Sequence, residues 1–108
     1  MTINDNDIIK TLNASRETGI RMLLSKYQEP LYWHIRRLVV SHDDAQDATQ
    51  ETVVRMFLSL EQFRGDSSLR TWLYRIATNE ALRLIGKRRQ ETISLDSVTT
   101  GVDIIASD

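Results

Sequence analysis

The apolar residues of this chain recur three and four positions apart over most of its length, and no convincing run alternates apolar with polar residues. Between residues 20 and 38 they follow one another at steps of 3, 1, 3, 4, 4 and 3, which places them in one stripe along an α-helix. A half-buried strand would need a period of two. With 108 residues, of which 41% are hydrophobic, the pattern predicts a single all-α domain, a compact bundle of about four helices.

The first two helices are predicted near the amino end. A short helix over about residues 5–13 carries its apolar side chains on one side, and the second helix carries the stripe of residues 20–38. Pro30 interrupts that stripe. Because proline removes a backbone donor and clashes with the preceding turn, this segment is either one kinked helix or two helices that meet near Glu29.

The third helix is predicted to begin within the sequence SHDDAQ. Asp43 as N-cap and Gln46 three residues later form a capping box, and acidic side chains in the first turn suit the positive end of the helix dipole. The predicted inward face comprises Ala45, Ala48, Thr49, Val53, Met56, Phe57 and Leu60. The same spacing places on the outward side Asp47, Gln50, Glu51 and Val54.

A break at FRGDSS, residues 63–68, separates the third helix from the fourth. Gly65 gives the backbone freedom there, and the following Asp or either Ser can cap the next helix. The fourth helix is predicted over about residues 69–88. Its predicted buried stripe is Leu69, Trp72, Leu73, Ile76, Ala77, Ala81 and Leu84, and its other face presents Arg70, Tyr74, Arg75, Asn79 and Arg83.

The end of the chain has a different character. After Glu91 the sequence ISLDSVTTGVDIIASD has no sustained period and many small polar residues. We therefore predict one domain over residues 1–92, followed by a linker or tail over residues 93–108.

The net charge of −1 conceals two segments of opposite sign. Residues 43–61 carry five acidic side chains and one arginine, and residues 64–89 carry seven basic side chains and two acidic ones. Such asymmetry is typical of a protein with one basic and one polyanionic partner, but two solvated helix faces of opposite charge would give the same pattern.

Several classes of site are excluded by composition. The chain has no cysteine, which excludes disulfides, thiolate zinc sites and cysteine nucleophiles, and His34 and His42 are too isolated to form a metal site. DDAQD matches the DDxxD pattern of helical magnesium enzymes, but such enzymes need a second acidic motif and a much larger bundle. Without an apolar membrane span or a signal sequence, the chain is expected to be cytoplasmic, with no membrane insertion, metal or cofactor.

One segment combines features that suit nucleic acid. Residues 63–89 bring together cations for phosphates, aromatic rings and the amide of Asn79 next to a flexible loop. This combination is typical of proteins that bind unstacked bases.

Three motifs in this order and spacing are specific to one family. They are the D-x-x-Q-E of residues 47–51, the loop FRGDSSLRTWL and the run YRIATN. Over about residues 8–92 the chain resembles region 2 of the bacterial sigma factors of the extracytoplasmic-function (ECF) group. The resemblance implies a helical domain that docks on the clamp helices of the largest subunit of RNA polymerase and captures the −10 promoter element as it opens.

The resemblance also implies roles for individual residues. Asp47, Gln50 and Glu51 match the polymerase-binding signature, and Val54 lies beside them on the same outward face. Asn79 matches the asparagine at the floor of the pocket for a base flipped from the non-template strand. The loop that holds this base corresponds to Phe63, Arg64, Gly65, Asp66, Ser67 and Ser68. The cations expected to follow the strand's phosphates are Arg75, Arg83, Lys87, Arg88 and Arg89.

The resemblance further implies that the chain is not an enzyme, since the polymerase performs the nucleotidyl transfer. An anti-sigma factor is a further candidate partner. Members of the group normally continue into a second helical domain, region 4, and nothing after Glu91 resembles it, so region 4 is predicted to be absent from this chain. The alternative function is a helical protein-interaction module that does not bind nucleic acid.

Overall fold

The computed structural model describes residues 3–63, 65 and 67–100, with side chains up to residue 93. These residues form four α-helices and one short 3-10 helix, and no strand occurs among them. The helices are α1 (Asp5–Ala14), α2 (Arg16–Arg36), α3 (His42–Ser59) and α4 (Leu69–Thr100), and the 3-10 helix (Leu60–Gln62) follows α3. The predicted all-α fold is confirmed. No helix within this described part of the chain is both long enough and apolar enough to cross a membrane.

A single serine joins α1 to α2. Ser15 ends α1, and its hydroxyl accepts a hydrogen bond from the Thr18 N–H at the start of α2. The two helices then pack closely at Gly19, where an added Cβ would lie 2.6 Å from the Cα of Leu12. That distance is shorter than a van der Waals contact, so the position requires glycine.

We expect Gly19→Ala to destabilise the domain. The new methyl group would overlap the backbone of α1, which cannot move without disturbing Ile8 in the core, and such overpacking typically costs about 1 to 3 kcal/mol. Thermal unfolding measures the effect. The control is Gly86→Ala, where no atom lies within 4 Å of the added Cβ; it should leave the melting temperature unchanged or raise it slightly.

A partly buried polar contact links the start of α1 to α2. Lys26 Nζ and the Tyr27 hydroxyl donate hydrogen bonds of 2.6 and 2.9 Å to Asp5 Oδ1. Burial alone would raise the pKa of the Asp5 carboxyl, but these hydrogen bonds and the charge of Lys26 outweigh burial and lower it. Burial and the bond to Asp5 also raise the pKa of Tyr27 well above its ordinary value. Asp5 is therefore held ionised between its two partners.

The segment around Pro30 is one continuous helix, so the alternative of two helices that meet near Glu29 is wrong. Pro30 itself is exposed, and its ring points away from the core. The buried stripe of α2 continues on both sides of it, through Leu23, Tyr27, Leu31 and Ile35. Packing of this stripe outweighs the hydrogen bond that proline removes.

Helix α3 begins earlier than predicted. The N-cap is Ser41, whose hydroxyl accepts a 3.1 Å hydrogen bond from the Asp44 N–H, so the prediction of Asp43 as the cap is wrong. The buried residues of α3 are Ala45, Ala48, Thr49, Thr52 and Met56. Phe57 was predicted to face inward, but it lies one step beyond this stripe and is 47% exposed. Its ring lies beneath the guanidinium of Arg16, 4.7 Å away.

Helix α4 packs its buried stripe against α2 and α3. Ser68 caps this helix by accepting a 3.1 Å hydrogen bond from the Thr71 N–H. The stripe includes Leu69, Leu73, Ala77 and Ala81, and the two alanines allow a close approach of the neighbouring helices. The predicted end at residue 88 is wrong, because α4 continues to Thr100 through a segment without glycine or proline.

The predicted linker or tail is therefore helical over residues 93–100. Residues 101–108 of that predicted segment lie outside the described residues.

Candidate functional site

The outward face of α3 carries the four residues that the sequence predicts to bind polymerase. Asp47, Gln50, Glu51 and Val54 are all exposed. They are exposed because the buried stripe of α3 faces the core from the opposite side of the helix. This face offers two carboxylates, one amide and one apolar side chain to a partner.

A groove between α3 and α4 brings acidic and basic candidate residues together. It measures about 370 Å³, and its walls include Asp47 and Glu51 from α3 and Arg83, Lys87 and Arg88 from α4. The sequence predicted these two sets as separate charged faces. In the structure the acids and the cations instead border one groove, so each set lies within the electrostatic field of the other.

Arg88 is paired within this groove. Its Nη2 and Nε donate hydrogen bonds of 2.9 and 3.2 Å to Asp44 Oδ1, and its Nη1 donates one of 3.2 Å to Glu91. The hydrogen bonding to Asp44, and to a smaller extent the bond to Glu91, raises the pKa of the Arg88 guanidinium above its ordinary value. A phosphate must therefore compete with Asp44 for this arginine. Sequence analysis missed this role of Asp44.

The outer face of α4 forms a shallow depression of about 500 Å³. Asn79 and Arg75 lie there beside Tyr74, and the guanidinium of Arg70 lies 4.5 Å from the centre of the Tyr74 ring. Arg89 is exposed further along the same helix. The depression presents an amide, a ring and two guanidinium groups together.

Helix α2 contributes His34 to this region, which sequence analysis did not assign to any site. The His34 Nε2 is hydrogen-bonded to Thr78 Oγ1 at 2.7 Å, and its ring lies edge-on to Tyr74 at 4.8 Å. Burial, then the charges of Arg37 and Arg70, lower the pKa of His34. The lowered pKa favours the neutral form of this histidine, which supports the face that Tyr74 and Asn79 present.

The loop of residues 63–68 lies at the amino end of α4, and Arg64 and Asp66 are outside its described residues. Phe63 packs on Trp72 with ring centres 5.0 Å apart, and Gly65 has a φ of 79°. Ser67 is half-buried and Ser68 is exposed. The left-handed backbone at Gly65 suits glycine above all other residues.

The described loop residues do not share a cavity with Asn79. Phe63 and Gly65 border a depression of about 460 Å³. Its other walls include Leu12 of α1 and Arg16 of α2. Asn79 lies ten residues beyond the first residue of α4, which corresponds to about 15 Å along the helix. The described loop residues and Asn79 can therefore act on one strand only if that strand spans both of them.

A third depression lies beside Gln50, between α2 and α3. Its volume is about 530 Å³, and Tyr32, Trp33 and His42 border it. Trp33 is 52% exposed, and the Tyr32 hydroxyl is hydrogen-bonded to His42 Nδ1 at 2.6 Å. Trp33 is exposed because it lies outside the buried stripe of α2. This position of an aromatic residue outside the stripe is the sequence signal for the surface.

The acidic segment DDAQD was considered above as a candidate metal site. Among the residues that the structure describes, no group of three or more His, Asp or Glu side chains is placed to hold a metal ion.

Comparison with known families identifies the class of protein. Residues 23–91 match the family described as sigma-70 region 2, which covers more than half of the chain. The chain therefore belongs to the sigma-70 region 2 family. Both the groove between α3 and α4 and the loop of residues 63–68 lie within the matched segment.

The most similar curated proteins include members of the ECF group. The chain is 45% identical over 67 residues to the ECF RNA polymerase sigma factor SigG of Mycobacterium tuberculosis, covering 62% of this chain and 18% of that protein. It is 36% identical over 77 residues to the RNA polymerase sigma-H factor of Pseudomonas aeruginosa, covering 71% and 40%. It is 34% identical over 79 residues to the ECF RNA polymerase sigma-E factor of Haemophilus influenzae, covering 73% and 41%.

These matches confirm the prediction of an ECF-type region 2 domain. The matched segment spans less than half of the length of each of these relatives. No solved structure gives a significant match to the chain.

Proposed function

We propose that residues 1–92 are the region 2 module of a transcription initiation factor. In this proposal α3 binds core RNA polymerase, and α4 with the preceding loop holds the non-template strand of the −10 element. The observation that carries the proposal is the placement of Asp47, Gln50 and Glu51 on an exposed face of α3, within the segment matched to the sigma-70 family. The names of the relatives, which are sigma factors of RNA polymerase, support the same function.

The polymerase interface suits a basic partner. The exposed carboxylates of Asp47 and Glu51 attract cations, and the Gln50 amide adds a directional hydrogen bond that charge alone does not supply. Val54 is 47% exposed and offers apolar contact area on the same face. The clamp helices of the polymerase are the proposed partner of this surface.

The strand interface suits an opened promoter. The Asn79 amide can satisfy the edge of one base and leave another unpaired, and the loop would hold the flipped base. Arg75, Arg83, Lys87 and Arg88 would contact phosphates, which fix the position of the strand without reading its sequence.

Two binding measurements test the proposal with the full chain. One is a pull-down with core RNA polymerase, and the other is the binding of a fluorescently labelled −10 strand with polymerase present. The proposed function requires both to bind. Binding of polymerase without binding of the strand would favour the protein-interaction module. Binding of neither would contradict both functions.

We expect Lys87→Ala with Arg88→Ala to weaken strand binding by a similar factor for every sequence. Each cation meets the same phosphate group at every step, so base preference should not change. The salt dependence should become shallower by about 0.7 per lost single-strand contact. Titrations of strands that vary one base at a time, at several salt concentrations, measure both quantities. A changed base preference in this variant would contradict the assignment.

A further inference from the structure

An acidic side chain lies buried at the base of the groove between α3 and α4. Glu80 is only 5% exposed, although it belongs to a helix whose outer face is basic. It follows Ala77 by three residues and therefore falls within the buried stripe of α4. Its carboxylate lies 3.8 Å from Arg55 Nε and 4.0 Å from Arg83 Nε. A buried carboxylate is thus held between one arginine from each wall of the groove.

Arg55 lies close to two carboxylates. Its Nε lies 3.3 Å from Glu51 and 3.8 Å from Glu80. That nitrogen is buried and makes no hydrogen bond with the described residues. The guanidinium is therefore attracted to both acids through Nε, and neither acid accepts a hydrogen bond from that nitrogen.

The charge balance follows from this shared arginine. Glu51 and Glu80 contribute two negative charges, and Arg55 and Arg83 contribute two positive charges. Because Arg55 is shared with Glu80, it compensates the negative charge of Glu51 only in part. The Glu51 side chain is 48% exposed, so this charge faces solvent. On the other wall, Glu80 reduces the positive charge that Arg83 presents. One buried residue therefore acts on both charged surfaces.

We propose that Glu80 is a positioning residue that competes with Glu51 for Arg55, so that Glu51 keeps negative charge available for polymerase binding, and that it weakens the attraction of Arg83 for a nucleic-acid strand. Neither partner can reach Glu80, because the side chain is buried between the helices. The inference rests on the proposed function, since it assigns Glu51 to the polymerase and Arg83 to the strand.

The test is Glu80→Gln, which keeps the shape of the side chain and removes its charge. Arg55 then neutralises Glu51, and affinity for core RNA polymerase should fall about three- to tenfold. Arg83 is freed at the same time, so the isolated chain should bind a labelled oligo-thymidine strand more tightly, with a salt slope steeper by up to about 0.7. A merely structural role of Glu80 would weaken both interactions, so the opposite signs are diagnostic.

The control variant is Glu17→Gln. Glu17 is an exposed acid that pairs with Arg21 on α2, away from the groove, so the variant makes the same change in net charge. It should alter neither affinity by more than about twofold, since exposed ion pairs of this kind contribute little.

A second variant restores the charge balance. In Arg55→Met with Glu80→Gln, Glu51 has no arginine beside it and keeps its negative charge, so polymerase affinity should recover to at least the wild-type value. Replacing both members of a buried pair is also tolerated better than removing one. This variant therefore tests the proposal even where Glu80→Gln alone folds poorly.

The outcomes separate the inference from the proposed function. If the wild-type chain binds no polymerase, the proposed function fails and the inference fails with it. If the wild type binds but Glu80→Gln weakens both interactions, or the double variant does not recover polymerase affinity, only the inference is overturned. Opposite shifts in Glu80→Gln with recovery in the double variant support it.

Discussion

Replacing Gln50 and Glu51 by alanine is expected to lower affinity for core RNA polymerase by more than about tenfold, the range of a central interface contact. Both side chains are exposed on α3, so the fold should keep its stability, and exposed substitutions usually change it by less than about 0.5 kcal/mol. The affinity of the purified chain for polymerase, measured beside a melting curve, gives both quantities.

The 3-10 helix provides a matched control for this experiment. Glu61→Ala with Gln62→Ala removes the same two residue types, also exposed, from a neighbouring part of the surface. This control should retain the wild-type affinity for polymerase. Equal affinity of the Gln50 and Glu51 variant and of the wild type, with unchanged melting temperatures, would show that polymerase does not bind this face of α3.

The exposure of these residues could be predicted because it depends only on helical period. Once Ala45, Thr49 and Met56 are placed inward, Asp47 and Glu51 must face outward. The start of α3 was harder to predict, since Ser41 and Asp43 are both good caps with a suitable partner three residues later. The prediction placed the first turn two residues too late because the local sequence does not distinguish these alternatives.

The relation between the two charged segments could not be predicted from helical period. Asp44 and Arg88 are 44 residues apart in the chain, and their hydrogen bond depends on how α3 and α4 pack together. Glu80 did carry a signal, since an acidic residue at a position of the buried stripe needs a compensating partner. The identity of that partner, Arg55, again depends on the packing of the two helices.

The exposure of Phe57 shows that the inward face predicted for α3 was too wide. A seven-residue inward face on α3 spans more of the helix circumference than α2 and α4 cover. Thr52 takes the inner position instead, because its hydroxyl donates a 2.7 Å hydrogen bond to the Ala48 carbonyl and needs no partner from another helix. A polar residue that satisfies itself within the helix can therefore replace an apolar one in the core.

Replacing Trp72 by alanine is expected to destabilise the domain by about 3 kcal/mol, near the lower end of the range for large aromatic residues because the ring is half-buried. The indole packs on Phe63, with ring centres 5.0 Å apart, and both rings lie against the core. Thermal or urea unfolding measures the loss. A loss of this size is a large part of the total free energy of unfolding for a domain of this length.

The matched control is Trp33→Ala, which removes the same side chain from a position that is 52% exposed. It should change stability by no more than about 1 kcal/mol, since much of its surface is already in water. Because Phe63 anchors the loop that is proposed to hold the flipped base, Trp72→Ala should also reduce base discrimination in the fraction that remains folded. If Trp72→Ala unfolds at the wild-type temperature and Trp33→Ala does not, the two rings exchange roles, and the packing of Phe63 on Trp72 contributes nothing to the fold.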